Sequence, residues 1–437
     1  MGRRAFTWIS RIAVGVALLG MATAPAFAGG FGIFEHGSRA MGMAGAFTAQ
    51  ADDPSAMFHN VGGLAFLDEQ ELQVGVTLIS QTQAELQGAN PFPGEGTFAE
   101  QESTIFYPPH AYWVQPISPT LNFGFSFNTP FGLATEWENP DTFPGRYISY
   151  EAELRVLDLG ANLGWKGTPD FGIGFGIIAR ASDVALKRRI PGQNPFTFQT
   201  VDIADVDLDS DFEWGFGGQI GILHRYNNSF SWGLSYRSSM EVDYAGDAAF
   251  TQISTGNPQF DAAVAASLPV GQNVPVTTSI DFPDMASLGA AIALGPTSTL
   301  EVDVNWTGWS SFETLVIDFD DQVEQMTAIE DVVRREGWDD AYNYRIGFNY
   351  GFGNSELRLG YVYDETPQPE RAVGPLLPDA DRSGFTIGYG FQGARMNTDL
   401  ALMYLPFDTR EVDESMNDFF GTYDITAWLF GVTLGWK

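Results

Sequence analysis

Positively charged side chains are scarce in this sequence, yet several of them fall in one short stretch. The cluster consists of Arg180, Lys187, Arg188 and Arg189. Such cations can hold a carboxylate through charge-assisted hydrogen bonds, which makes Arg180, Lys187 and Arg188 candidate ligand contacts. The same cluster could instead balance the aspartates of VDIADVDLDSDFE, at 201–213 in the next part of the chain. For Arg188 and Arg189 the sequence leaves both interpretations open.

Side chains suited to catalysis or metal binding form no recognisable pattern. The four histidines, at positions 36, 59, 110 and 224, show neither a Ser/His/Asp arrangement nor metal-ligand spacing. The chain has no cysteine, so thiolate metal sites and disulfides are excluded. The aspartates at 205, 207, 209 and 211 are interpreted as a solvated acidic face rather than a cation site. We therefore predict no enzyme, no cofactor, no catalytic residue and no metal, and keep a barrel-borne lipase or protease as an alternative.

Charge and the first residues limit where the protein acts. With 22 basic against 55 acidic residues the formal charge is −33, so nucleic acid is excluded as a partner. Arg3, Arg4 and Arg11 precede an apolar run and then the small-x-small sequence Ala26-Phe27-Ala28. This pattern predicts a secretory signal peptide over 1–28. We expect general secretion rather than the twin-arginine route.

Alternation of period two dominates the rest of the chain. In TAWLFGVTLGW, for example, the large residues Trp428, Phe430 and Val432 alternate with a mostly small face of Leu429, Gly431, Thr433 and Gly435. Fourteen strands are predicted, at 69–80, 104–114, 120–128, 151–166, 171–190, 210–226, 229–243, 277–294, 298–318, 341–352, 355–364, 381–392, 396–407 and 423–436. Pro108, Pro109 and Pro283 fall inside predicted strands and indicate bulges or local openings.

The connections between these strands alternate between short turns and long loops. The short ones are QPISP, KGTPD, YNNS, GPTS, GNS and GARMN. An even number of strands with short turns on one side is typical of a bacterial outer-membrane barrel. The sequence therefore predicts an all-β, 14-stranded antiparallel transmembrane β-barrel in the outer membrane of a Gram-negative bacterium. A secreted all-β protein is the alternative.

Residues 29–67 lack this alternation and precede the first predicted strand. Asp53 is a plausible N-cap, Pro54 suits a first helical position, and Gly62-Gly63 follows, so short helices are expected. A segment of this size is too small to form a hydrophobic core of its own, so it must pack against another part of the protein. We therefore predict three parts: the signal peptide, an N-terminal segment at 29–67 that plugs the lumen, and a barrel over 68–437.

Several blocks of sequence resemble one known family. They are GFGIFEHGSRAMGMAGAFTAQADDPSAMFHNVGGLAFL, PFGLATEWENPDTFPGRY, WGLSYRSSMEVDY, VDVNWTGWSSFETLVIDFDD and YDETPQPERAVGPLLPDADR. They are similar to the FadL/TodX type of outer-membrane transporter for long-chain fatty acids and aromatic hydrocarbons. The resemblance implies that residues 29–67 form a hatch, and that substrate leaves sideways through a gap made by a kinked third strand. The family's Asn-Pro-Ala hatch motif, which meets that kink, corresponds to Asn60, Val61 and Gly62, and Gly124 is our candidate for the kink.

The resemblance also implies an apolar binding pocket beside the hatch. We expect Phe31, Phe34, Met41 and Met43 to contact the ligand, although packing against the barrel would also explain them. Arg180 falls where the family places a basic ligand contact. Long-chain fatty acids are the expected substrates and aromatic hydrocarbons such as toluene or xylene the alternative. The expected surroundings are outer-membrane lipid and lipopolysaccharide, the expected state is a monomer, and a general porin is the competing transport function.

Overall fold

The computed structural model describes residues 29–320, 323, 327 and 329–437, with the side chains of 81–83 left aside. The predicted signal peptide lies outside these residues. Two short helices, α1 (Ser38–Met41) and α2 (Ala56–His59), and a 3-10 segment (Val61–Phe66) precede the first strand, and α3 (Pro258–Ser267) lies in a loop. Further 3-10 turns are Pro144–Tyr147, Trp309–Ser311 and Glu370–Ala372.

The strands, in chain order, are β1 (Glu71–Gly88), β2 (Phe98–Glu100), β3 (Ile105–Phe106), β4 (Pro109–Ser118), β5 (Leu121–Asn128), β6 (Gly132–Glu136), β7 (Glu151–Thr168), β8 (Phe171–Gln193), β9 (Thr200–Ser210), β10 (Glu213–Asn227), β11 (Phe230–Arg237), β12 (Met240–Gln252), β13 (Asn273–Phe282), β14 (Met285–Ala293), β15 (Ser298–Thr307), β16 (Leu315–Phe319), β17 (Val332–Arg334), β18 (Ala341–Phe352), β19 (Ser355–Asp364), β20 (Arg382–Gln392), β21 (Met396–Pro406), β22 (Arg410–Val412) and β23 (Gly421–Trp436).

These strands form one closed antiparallel barrel of 14 wall strands. Several wall strands are built from two pieces, such as β3 with β4, β5 with β6, β9 with β10 and β15 with β16. The barrel closes where β23 pairs with β1, from Leu72 opposite Trp436 to Gly88 opposite Gly421. Closure gives every strand two neighbours. The backbone N–H and C=O groups can therefore form hydrogen bonds within the sheet, where lipid offers them no partner. No helix of the described residues is long and apolar enough to cross a membrane.

The predicted alternation matches the two faces of the wall. Leu159, Leu163 and Trp165 face outward and are about half exposed, whereas Asp158 and Asn162, at the alternate positions, are buried in the interior. The six predicted short turns all connect neighbouring wall strands at one end of the barrel. The strand pattern, the direction of its faces and the alternation of turns and loops are therefore confirmed.

Several predicted strand ends are wrong, mainly on the long-loop side. β1 continues to Gly88 rather than ending at 80, and the sixth wall strand already begins at Thr200 rather than 210. Beyond the membrane a strand can face water on its outer side, so it loses the apolar alternation that marks it in sequence. The predicted ninth strand is interrupted by the turn Trp309–Ser311. The second and eighth wall strands break at 107–108 and 283–284, as the prolines predicted.

The hatch, residues 29–67, fills the interior of the barrel. Its backbone is bonded to wall side chains on well-separated strands: the N–H groups of Phe47 and Thr48 donate to Asp303, each at 2.9 Å, and Asn122 donates to the Leu64 and Leu67 carbonyls. These buried polar bonds hold a segment that has no core of its own.

Candidate binding pocket and wall opening

Glycines of the wall make room for the hatch backbone. A Cβ added to Gly174 would lie 2.0 Å from the carbonyl oxygen of Val61, and one on Gly360 would lie 2.4 Å from the backbone of Met43 and Ala44. The small residues that alternate with large ones in these strands are therefore the inward face. They let the backbones of plug and wall approach closely.

An apolar cavity, which we call the Phe31 pocket, lies where the hatch begins. Its volume is about 130 Å³, and its lining includes Phe31, Leu154, Ile280, Phe312, Trp338 and Leu377. The Phe31 ring packs against a group of aromatic rings, with centroids 4.6 Å from Trp309 and 5.5 Å from Phe312. Such a lining favours an apolar molecule over water.

The third wall strand is interrupted beside this pocket, at residues 129–131, which we call the wall break. β5 ends at Asn128, which pairs with Asp158 of β7, and β6 begins at Gly132, which pairs with Arg155 of β7. Three residues of the third wall strand therefore lie opposite two residues of β7. One extra residue therefore bulges out of the ladder. The bulge bonds to the hatch: Ile33 N–H donates to the Pro130 carbonyl at 2.7 Å.

Two further bonds join the wall break to the hatch. Gly132 N–H donates to the Phe31 carbonyl at 2.9 Å, and the His36 ring donates through Nε2 to the Thr129 carbonyl at 3.1 Å. Burial holds the pKa of His36 well below its usual value. The ring is therefore neutral, and it can make this bond without carrying a charge into the barrel interior.

The same break separates the third wall strand from the second. Their ladder ends at Ala111 opposite Phe127. In the described part of the chain they meet again at the bridge of Gln101 with Trp137, where Glu102 N–H donates to the Glu136 carbonyl and Glu138 N–H to the Glu100 carbonyl. The backbone between these points forms a gap in the wall. A sheet in lipid is expected to close such gaps, so this one is a candidate exit.

A groove on the outer surface begins beside this gap. It is lined by Ala111, Phe127, Phe125, Ile177 and Phe216, among others, and has a volume of about 780 Å³. Ile177 and Phe216 are more than two-thirds exposed. This apolar face lies against the membrane's hydrocarbon in an outer-membrane barrel. The sequence analysis missed the groove, although the alternating Phe123, Phe125 and Phe127 signalled an apolar outer face.

The predicted kink is misplaced. Gly124 pairs regularly with Val114 on one side and Asn162 on the other, so the strand is intact there. Its missing side chain makes room for the hatch, because a Cβ would lie 2.4 Å from the sulfur of Met57. The interruption lies at the wall break instead.

The Asn-Val-Gly motif meets other strands than the resemblance implied. Asn60 donates to the carbonyls of Thr48 and Ile222, at 2.7 and 3.0 Å, and accepts from Gly62 N–H at 3.0 Å. A Cβ on Gly62 would lie 2.8 Å from the backbone of Ile222, and Val61 abuts the fifth wall strand. These residues contact the fifth and sixth wall strands, whereas Phe31 to His36 contact the wall break. Their role in gating stays a prediction.

The four predicted apolar contacts separate into different environments. Phe31 lines the pocket described above. Phe34 lies in a small polar cavity with His59, Arg237 and Arg345. Burial lowers the pKa of His59 to about 4, so this histidine is neutral as well.

Met41 and Met43 pack against the wall. Met41 belongs to a buried cluster with Ile79 and Leu429, and Met43 lies against the glycine positions of β18 and β19. Neither lines the Phe31 pocket. Ligand contact by Phe34, Met41 and Met43 stays a prediction.

The predicted cations are separated by the two faces of β8. Arg180 is fully buried and donates to both oxygens of Asp158, at 2.8 and 2.9 Å. Its guanidinium stacks over the rings of Phe131 and Phe282. Lys187 is paired with Glu151 at 2.9 Å on the long-loop side. Arg188 lies in a second apolar cavity.

Comparison with known proteins agrees with this arrangement. The family described as outer membrane protein transport protein (OMPP1/FadL/TodX) matches residues 19–437. The chain belongs to this family. Similar proteins include the long-chain fatty acid transport proteins of Escherichia coli O6:H1, 26% identical, and of Salmonella typhi, 23% identical, each aligned over 98% of both chains.

Solved structures show the same fold. A Pseudomonas aeruginosa FadL homologue has a TM-score of 0.77 at 18% identity, over 93% of this chain and 99% of that one. The toluene transporter TodX of P. putida has a TM-score of 0.71 at 15% identity, over 93% and 99%. This member of the FadL/TodX family is therefore a plugged 14-stranded barrel of the Gram-negative outer membrane.

Proposed function

We propose that this FadL/TodX-family chain carries hydrophobic molecules into the outer membrane, taking them up in the Phe31 pocket and releasing them sideways at the wall break. One observation carries the proposal: the Phe31 side chain lines the pocket while its carbonyl accepts a hydrogen bond from Gly132 at the break. A ligand that displaces the Phe31 ring therefore acts on the residue that ties the hatch to the gap.

The substrate class follows from the relatives and from the lining. The relatives named above are fatty acid transport proteins, and one structural neighbour is a toluene transporter. We propose long-chain fatty acids as substrates, with aromatic hydrocarbons as the second candidate, favoured by the rings around Phe31. The protein acts as a monomer in contact with lipid and lipopolysaccharide, and it transports without catalysing a reaction.

Uptake by a transporter-deficient Gram-negative strain tests the proposed function. Cells that produce this chain are expected to take up oleate, or toluene or xylene, faster than cells with an empty vector. Equal uptake of all these compounds in both strains, with the barrel present in the outer membrane, would show that the proposal is wrong.

Straightening the third wall strand tests the lateral route. Deleting Pro130 leaves the same number of residues between Asn128 and Gly132 as in the facing fourth wall strand. The third wall strand can then pair with the fourth without a bulge, and we expect its straightened backbone to narrow the gap to the second wall strand. We expect a folded barrel with strongly reduced uptake. Deletion of Gly256, in an open loop turn where an added Cβ meets nothing, is the matched control. Full uptake after the Pro130 deletion would exclude this exit.

A further inference from the structure

The small polar cavity beside Phe34, which we call the arginine cavity, lies between the hatch and the wall. Its volume is about 50 Å³, and its lining includes Phe34 and His59 of the hatch and Ser235, Arg237, Ser287 and Arg345 of the wall. In the described part of the chain it shares no lining residue with the Phe31 pocket. The two cavities are therefore separate sites.

Both charged residues of this lining are cations. Among the described residues no carboxylate lines the cavity. Arg237 is 6% exposed and Arg345 is 4% exposed, and their guanidinium groups lie over the rings of Phe58 and Phe34, at 4.9 and 5.1 Å. A buried charge is unfavourable unless a partner compensates it.

Arg237 lacks a carboxylate of its own. The nearest carboxylate oxygen, on Asp158, lies 3.7 Å from its Nη1, and Asp158 already accepts two hydrogen bonds from Arg180. Nη1 is buried and has no hydrogen-bond partner in the described part of the chain. Nη2 makes two long bonds, of 3.4 Å to the Phe58 carbonyl and 3.3 Å to Gln219. Arg237 therefore has an N–H donor available for a further acceptor.

Arg345 is bonded to neutral groups. It donates through Nε to Asn343 at 2.7 Å and through Nη1 to the Ala44 carbonyl at 2.9 Å. It makes no ion pair with any residue that the structure describes. Its Nη2 therefore also remains available to an anion.

The carboxylates that act on Arg345 from farther away are bonded elsewhere. They belong to Glu35, Asp364 and Asp303. Asp364 is paired with Arg382 at 2.7 Å, Asp303 accepts from the hatch backbone, and Glu35 accepts from Phe34 N–H at 3.1 Å. They reduce the positive potential at the cavity but do not pair with Arg345.

Two serine hydroxyls complete the donors of the arginine cavity. Ser235 of β11 stands opposite Ser287 of β14, and neither hydroxyl bonds to another described residue. Because one water molecule needs about 10–15 Å³ of such a cavity, the volume fits a small ion with one or two waters. The alkyl chain of a transported fatty acid is too large for it.

We propose that the arginine cavity binds a small inorganic anion of the halide class, such as chloride, through Arg237, Arg345, Ser235 and Ser287. An anion there compensates two buried guanidinium groups and accepts their remaining N–H donors. Because the hatch forms part of the cavity, the bound ion stabilises the hatch in its position inside the barrel. This site goes beyond the proposed transport function, since its ligand is not the transported molecule.

Thermal unfolding of the purified protein in nonionic detergent and a fixed concentration of urea tests the site. Sodium gluconate, whose anion is too large for the cavity, is replaced stepwise by sodium chloride at constant ionic strength. The Tm of the wild type is expected to rise with chloride and then to saturate. Arg345→Gln should remove this rise. Ser287→Ala should raise the half-saturating chloride concentration about tenfold, because the anion loses one hydrogen bond.

Arg358→Gln is the matched control. Arg358 is an equally buried interior arginine, but it is paired with Asp399 and Glu356 and does not line the arginine cavity. This variant should have a lower Tm that still rises with chloride. Heat-modifiable migration on gels verifies that each variant is folded, and Ser287→Ala decides the test if Arg345→Gln does not fold.

Crystals of the wild type soaked in sodium bromide give the position of the ion. An anomalous bromide peak is expected in the arginine cavity. A wild-type Tm that does not distinguish chloride from gluconate would overturn the inference, as would loss of the chloride effect in Arg358→Gln. A bromide peak without a chloride-dependent Tm would mean binding at crystal concentration only, and a chloride-dependent Tm without a peak in the cavity would place the ion elsewhere; both results contradict the proposal.

Discussion

Buried arginines inside the barrel are held by carboxylates of the neighbouring strand or of the next strand but one. Arg180 is paired with Asp158, Arg358 with Asp399 and Arg382 with Asp364, all at bond lengths below 3 Å. Removing one partner of such a pair leaves the other charged and desolvated. The buried ion pairs of this barrel therefore stabilise its fold, whether or not they also bind a ligand.

Replacing Arg180 measures this contribution. Arg180→Ala is expected to lower the free energy of unfolding by about 3 kcal/mol, the low end for a broken buried pair, because Arg237 lies 3.7 Å from Asp158 and compensates in part. Urea unfolding from lipid vesicles is the measurement. The control Arg395→Ala, at an exposed turn position, should change stability little. An Arg180→Ala barrel as stable as wild type would contradict this account.

At the residue scale the sequence predicted the cation cluster but could not assign its members. Period-two alternation places Arg188 on the opposite face from Lys187 and Arg189. The carboxylates that pair with Lys187 and Arg189 come from β7, β9 and the loop that carries Asp141. These segments meet β8 only in the folded protein, so the sequence does not show which face of β8 they contact.

At the scale of elements, the hatch backbone packs closely against the wall at positions where the wall strands carry glycine and therefore have no side chain. Gly174 illustrates this, since any Cβ there meets the backbone of Val61. Gly174→Val is expected to displace the hatch locally, lower the free energy of unfolding by about 1–3 kcal/mol through overpacking, and raise ion conductance in planar bilayers.

The matched control for this prediction is Gly351→Val. Gly351 also lies in a wall strand, but the nearest atom to an added Cβ is 3.6 Å away. This variant should conduct and unfold like wild type. Equal behaviour of the two variants would show that the hatch does not depend on the glycine face.

The third wall strand shows why the kink was misplaced. Glycine is the usual local signal for a bend, which led to Gly124. The break at 129–131 is instead fixed by hydrogen bonds from Ile33, His36 and Gly132, two of them from the distant hatch. The sequence of the strand itself does not indicate that these hatch residues will bond to it.

At the scale of the whole molecule, the plugged lumen separates this barrel from a general porin. Because the hatch fills the interior and is bonded to several wall strands, steady single-channel conductance should be small. Deleting residues 29–67 should produce a large conductance through a still-closed barrel. Large steady conductance of the intact protein in planar bilayers would instead favour the porin alternative.

The sequence by itself determined the fold class, the faces of the strands, the turns and the plugging segment. Each of these depends on local periodicity and composition, which the chain carries at every position. Only the tertiary structure decided where the wall opens, which cations are paired and which residues share a pocket. Those features depend on contacts between residues far apart in the chain, such as Phe31 with Gly132 or Arg180 with Asp158, and local sequence does not encode the distance between them.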